Sequence, residues 1–264
     1  MTEAEWLVCN EPTAMLGSLR CPVSERKLHL FACGCCRAVW ECIPLGLHRK
    51  LVDVAEQCAD GRLGHGILEL VEKRARAQSA LPNEAIHGAF AALAVTNVIG
   101  WWAASRTLLA AREAVCKWAV TVASTGELPP TSAVATAAVR AWGTEWARRN
   151  AEPAWSWNNI WPEAAQAAGD AAHAAAEQMF ANVLRCLFCN SFRPTSFEPA
   201  WLTPTVLALT AQMYDSRDFG AMPILADALQ EAGCDNDDVL SHCRDTSTPH
   251  ARGCWVVDAV LSKE

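Results

Sequence analysis

Helix punctuation constrains this chain more than any other feature of its sequence. Thr2-Glu3-Ala4-Glu5 has the Thr-x-x-Glu form of a capping box, in which hydroxyl and carboxylate each satisfy a free amide at a helix start. Ser24 can cap a second helix over about 25–42, which stops ahead of Pro44 because the proline ring disfavours helical geometry at the residue before it. Further helices are expected over 47–59, ended by Asp60-Gly61, and over 66–79, ended near Pro82. A long Ala-rich pattern follows over 84–124, broken at Gly100-Trp101-Trp102. A second Ala/Trp-rich stretch covers 131–189. Beyond it come helices over 205–215, 219–232, 237–244 and 252–262, with Gly233 where a C-cap glycine belongs. Alternating β-branched runs bounded by hairpin turns are missing. The expectation is an all-α protein: an irregular multi-helix bundle with its N- and C-terminal helices packed together.

At 264 residues the chain is long enough to bury a sizeable core. Residues 190–204, with Pro194, Pro199 and Pro204, look like a connector. They divide an Ala/Trp-rich bundle (1–189) from a smaller C-terminal unit (190–264), and the aromatics Phe192, Phe197 and Trp201 suggest that the two pack as one body. No uninterrupted apolar run approaches the roughly 18–20 residues of a membrane span. The acidic opening MTEAEWLVCNEP lacks the basic and apolar segments of a secretory signal, so a cytoplasmic location is expected. A net charge of −7 argues against a nucleic-acid partner, because phosphate neutralisation needs a concentrated basic surface. The basic runs Lys73–Arg76 and Arg148-Arg149 are short and read as solvated helix faces.

Soft metal-ligand residues gather at the two ends. His29, Cys33, Cys35 and Cys36 lie near the front, and His242, Cys243, His250 and Cys254 near the rear. In a reducing compartment the thirteen cysteines stay free, and free Cys packs readily as a small hydrophobe. On the second helix the +4, +3, +4 spacing puts His29, Cys33, Cys36 and Trp40 on one face. Leu28, Ala32, Cys35, Val39 and Cys42 form an adjacent, core-like stripe. At the rear, His250 and Cys254 share a face if the last helix starts early, with Pro249 in its first turn. Zinc takes four thiolate and imidazole ligands in a closed structural site. Cys33, Cys36, His250 and Cys254 make such a set, with His29, His242 and Cys243 as substitutes.

The opening MTEAEWL, the segment Arg26–Arg37 containing Phe31-Ala32-Cys33-Gly34-Cys35-Cys36-Arg37, and the ending with His242-Cys243-Arg244 and His250-Ala251-Arg252-Gly253-Cys254-Trp255 together resemble a planctomycete-type family of uncharacterised cytoplasmic helical proteins. The resemblance covers about the first 60 and last 75 residues and implies no activity, substrate or cofactor. In that family the position of Cys189 is more often glycine, which makes the Cys186/Cys189 pair a weaker site candidate.

No His-Glu-x-x-His, phosphate-binding glycine loop, Gly-x-Ser-x-Gly elbow or dinucleotide signature is present in the sequence. Arg37, Arg244 and Arg252 flank the clusters and could pair with Asp227, Asp245 or Asp258 or bind an anion, ordinary ion pairs being the expectation. The leading expectation is a non-enzymatic interaction or regulatory protein with an unidentified protein partner, its two ends stapled by zinc. Two alternatives stay open: a metal- or thiol-dependent enzyme using the same Cys/His residues, and a small-molecule pocket lined by Trp142, Trp146, Trp155, Trp157 and Trp161.

Overall fold

The computed structural model describes residues 1–19, 23–43, 46–77, 92–96, 103–112, 114–115, 157–188, 192 and 196–263, with backbone only for 41 and 157–169. Every regular element among them is a helix. The fold is all-α, with the helices packed together. None of the described helices is long and apolar enough to cross a membrane.

Helix α1 (Glu3–Val8) begins in the expected capping box: the Glu5 amide donates to Thr2 Oγ1 at 3.3 Å and the Thr2 amide to the Glu5 carboxylate at 2.7 Å. It is followed by α2 (Pro12–Ser18), α3 (Glu25–Ala38), α4 (Leu47–Ala59) and α5 (His65–Arg76). Ser24 caps α3, accepting from the Lys27 amide at 3.2 Å. The α-helix stops at Ala38, four residues short of the expected end, because Val39 leaves helical geometry and Trp40–Cys42 tightens into a 3-10 turn. The expected 84–124 helix lies largely outside the described residues, and the described part of the second Ala/Trp-rich stretch is α6 (Trp157–Phe188). Then come α7 (Pro204–Ser216), α8 (Met222–Glu231), α9 (Asp237–Arg244) and α10 (Trp255–Val260).

Packing follows the apolar faces. Helix α3 is covered on both sides, by α4 and by α6, and Leu30 through Cys36 are all buried. Cys33 and Cys36 of one expected stripe and Leu28, Ala32, Cys35 and Val39 of the other are buried core, while His29, Trp40 and Cys42 at their ends are only half-buried. Gly34 lies at the tightest point, where an added Cβ would sit 2.9 Å from Val183 Cγ1 of α6. Val183 is itself buried and stiff at χ1, so Gly34→Ala is expected to lower stability by about 1–3 kcal/mol, read as a shift of the urea midpoint at constant slope. An unchanged midpoint would show that α3 and α6 separate freely. Arg185 of α6 reaches back to α1, donating to the Trp6 carbonyl at 2.8 Å and to the Cys9 carbonyl, groups left free at that helix end.

The front and rear of the chain meet through α10, which packs on α6, α7 and α9. Arg26 of α3 donates to Asp258 of α10 at 2.7 and 3.1 Å, to Asp60 at 3.1 Å and to the Tyr214 hydroxyl at 2.8 Å. Tyr214 donates in turn to Asp60 at 2.5 Å. Arg252 lies over the Tyr214 ring at 4.6 Å and 3.4 Å from the Asp60 carboxylate. Arg37 and Arg217 share the buried Glu56, at 2.9 and 2.6 Å. Among the expected ion pairs the structure has Arg244–Asp227, at 3.3 Å. The partners of Arg37 and Arg252 come instead from α4 and its C-cap.

Candidate metal centre

The last helix starts later than the sequence suggests. It begins at Trp255, not near Pro249 or Arg252, with Cys254 at the N-cap. The reason is Gly253, whose φ of 90° is in the left-handed region that suits glycine and interrupts a right-handed helix. A side chain there would also strike Leu30 of α3, with Cβ 2.9 Å from Leu30 Cδ1. His250 and Cys254 therefore do not share a helical face. A turn closed by the Cys254 amide on the Ala251 carbonyl, at 2.9 Å, brings them together instead.

His250 and Cys254 converge with His242 and Cys186. One donor atom from each of these four residues lies within 4.8 Å of the others. Cys186 is on α6, His242 in the last turn of α9, His250 in the loop that follows, and Cys254 at the head of α10. His242 Nε2 is 3.2 Å from Cys254 Sγ, and His250 Nδ1 is 3.8 Å from Cys186 Sγ. The two imidazoles stand at 90° with centroids 4.8 Å apart. A tetrahedral zinc with bonds of about 2.3 Å to sulfur and about 2.0–2.1 Å to nitrogen keeps its donors about 3.3–3.8 Å from one another. Small side-chain shifts close this set around such an ion.

Local structure holds each donor in place. Asn236 caps α9, accepting from the amides of Asp238 and Val239 at 3.0 and 3.1 Å. In the following loop, Asp245 accepts from the Ser247 amide and hydroxyl at 2.9 and 2.5 Å and from the Thr248 hydroxyl at 2.8 Å. These bonds, that from Ser247 first, hold its carboxyl below the usual carboxylate range. Trp255 lies 5.4 Å from the His242 ring and is packed in turn by Phe197 at 6.3 Å, so aromatic surface covers the site. His250 also lines a small cavity of about 270 Å³ with Arg217, Phe219 and Asp245.

The electrostatics divide the two thiols. Cys254 is fully buried, which opposes ionisation, yet the hydrogen bond from Cys186 and the two imidazoles hold it well below the ordinary cysteine value. Cys186 is pushed well above it, first by donating to the Cys254 sulfur and then by burial. Desolvation alone would lower His250, but the Cys254 sulfur and Asp245 together outweigh it and raise it. The shared proton thus stays on Cys186, and Cys254 is the sulfur that ionises more readily. A divalent cation would displace the protons and draw in both sulfurs.

The remaining candidate ligands lie elsewhere. Cys33 and Cys36 sit in the α3 core beside Glu56 and Arg37, their thiols pushed up mainly by burial. They are not part of the convergent group. His29 Nδ1 is 2.8 Å from the Glu25 carbonyl, one turn back in its own helix. Cys243 is buried, its thiol pushed up first by desolvation and then by the nearby Cys254 and Cys234, and its sulfur is not one of the four convergent donors. Cys186 reads as a weaker candidate in the sequence because the family resembled more often has glycine at the position of its neighbour Cys189, a residue that lies outside those described. The usable signal was different: three rear ligands within thirteen residues lack a fourth, and α6 carries a cysteine near its end. Of the tryptophans expected to line a pocket, Trp142, Trp146 and Trp155 lie outside the described residues, as do the side chains of Trp157 and Trp161.

No protein-family model matches the chain, and neither a curated protein nor a solved structure is detectably similar to it.

Proposed function

We propose that this protein is a non-enzymatic helical interaction or regulatory protein whose C-terminal part is stapled to the bundle by a structural zinc. The observation that supports this reading is the convergence of two thiols and two imidazoles from four separate segments at one covered site. Four protein donors fill a tetrahedral ion, and a closed shell is the mark of structural rather than catalytic zinc. The ligand set needs reduced thiols, which fits a cytoplasmic protein. Membership of the planctomycete-type family that the front and rear segments resemble belongs to the same proposal, and an unidentified protein is the partner it implies. The −7 charge supports a partner other than nucleic acid.

Cobalt(II) separates this reading from a catalytic one. The apoprotein titrated with cobalt is expected to show the thiolate-to-cobalt charge-transfer band and the intense visible bands of a four-coordinate site. Those bands should not move when azide or thiocyanate is added. A shift on adding either anion would reveal an open position and favour a metalloenzyme.

One observation favours a thiol-enzyme reading, namely the depressed Cys254 beside His242 at 3.2 Å. The burial of Cys254 opposes it, since reactivity follows access as well as thiolate fraction. In native protein Cys254 is expected to react with iodoacetamide more slowly than in urea-denatured protein. Faster labelling of the native form, located by peptide mapping, would support the nucleophile instead.

A further inference from the structure

We infer that Lys27 of α3 is the positioning residue of the metal centre, joining the front segment of the chain to the two cysteine-bearing segments at its rear. This inference rests on the zinc reading above. An ammonium group has three N–H donors, and Lys27 Nζ meets three oxygens: the Leu187 carbonyl at 3.2 Å, the Gly253 carbonyl at 2.6 Å and Asp258 Oδ2 at 2.6 Å. Leu187 immediately follows Cys186, and Gly253 immediately precedes Cys254. One side chain thus grips the backbone on both sides of the pair of sulfurs, at the end of α6 and at the head of α10.

The grip is needed where it occurs. The Leu187 carbonyl lies in the last turn of α6, where intrahelical partners run out. The Gly253 carbonyl belongs to a residue whose left-handed φ breaks the chain direction just ahead of Cys254. Without that donor, the two segments would be joined here by apolar contact and by the hydrogen bonds of the Cys186 sulfur, with no tie between their backbones through Lys27. The charge of the ammonium is balanced by Asp258, which also accepts from Arg26 at 2.7 Å. Lys27 therefore acts on the sulfurs chiefly by fixing their backbone, and its charge adds a smaller direct attraction for a thiolate at Cys186. The front cluster earns its place in the sequence in this way: Arg26 and Lys27 hold the rear site together, while Cys33 and Cys36 fill the core.

The test is zinc affinity, measured by competition with a chromophoric chelator, alongside the melting temperature of the metal-free protein. Lys27→Met is expected to weaken zinc binding by about 10–100-fold, the usual effect of losing an outer-shell partner. Arg49→Met is the matched control. It removes a comparable clamp, Arg49 to the Ile43 and Trp40 carbonyls at 3.1 and 2.9 Å, far along the chain from the ligands. It is expected to lower the melting temperature and leave zinc affinity unchanged. A merely structural role for Lys27 would give the Arg49 pattern, and Lys27→Met with wild-type affinity overturns the inference. Should Lys27→Met fail to fold, Lys27→Gln carries the same expected loss and the same refutation. Wild-type protein that binds no zinc refutes the metal reading itself, and the positioning role falls with it.

Discussion

Cys254→Ser and Cys186→Ser are each expected to abolish stoichiometric zinc binding and to lower the melting temperature by roughly 8–16 °C. With free zinc a thousand-fold above the dissociation constant, binding to the native state alone contributes about 4 kcal/mol, and 1 kcal/mol corresponds to about 2–4 °C for a chain of this size. A strong chelator added to wild-type protein should reproduce the shift and add little to either variant, because the same linkage has already been lost. Cys33→Ser supplies the contrast. Cys33 is buried in α3 with its thiol kept neutral by desolvation, so the variant is expected to lose stability and keep its zinc. Calorimetry with and without chelator, paired with metal analysis, reads all of these. Loss of zinc from Cys33→Ser with retention in Cys186→Ser would transfer the site to the front cluster.

Asp258→Ala should destabilise the protein by about 3–5 kcal/mol, the cost of leaving buried charge without its counter-ion. Asp258 is 2 % exposed and receives Arg26 at 2.7 Å and Lys27 at 2.6 Å. Both cations are themselves largely covered, so water cannot replace the carboxylate. The effect should also be visible in metal-free protein, which separates it from the zinc contribution. Asp215→Ala removes a pair of similar length, Arg62–Asp215 at 2.7 Å, but an exposed one. Solvent screening limits that pair to about 0–1 kcal/mol. Equal losses from the two variants, measured by urea denaturation, would show that the Arg26–Asp258 junction is solvated and does not hold the two ends of the chain together.

The elements that could be read from the sequence are those whose limits are set by local chemistry. The Thr2 box, the Ser24 cap and the Gly233 C-cap, with φ at 91°, are all present. Helices α4 and α9 run over the expected 47–59 and 237–244. The misplacements have tertiary causes. The helix expected over 252–262 starts only at Trp255, because Gly253 takes a left-handed φ ahead of it, packed so closely on Leu30 of α3 that no side chain would fit. The +4, +3, +4 face of His29, Cys33 and Cys36 is a real helical face, but α4 and α6 both cover α3, and periodicity does not say whether a covered face meets core or ligand. Half of the expected ligand set, His250 and Cys254, together with the substitute His242, belongs to the convergent group. Cys186 joins them across 64 residues of sequence. No spacing rule reaches that far, just as none pairs Arg26 with Asp258 across 232 residues.

Zinc content is the most direct measurement of the central claim. Untagged protein purified without chelators and analysed by inductively coupled plasma mass spectrometry is expected to carry about one zinc per chain, with Cys186 and Cys254 protected from alkylation until the metal is removed. Protein that contains no metal, and that fails to take up zinc after reduction, would contradict it and leave the four residues as a buried hydrogen-bonded cluster.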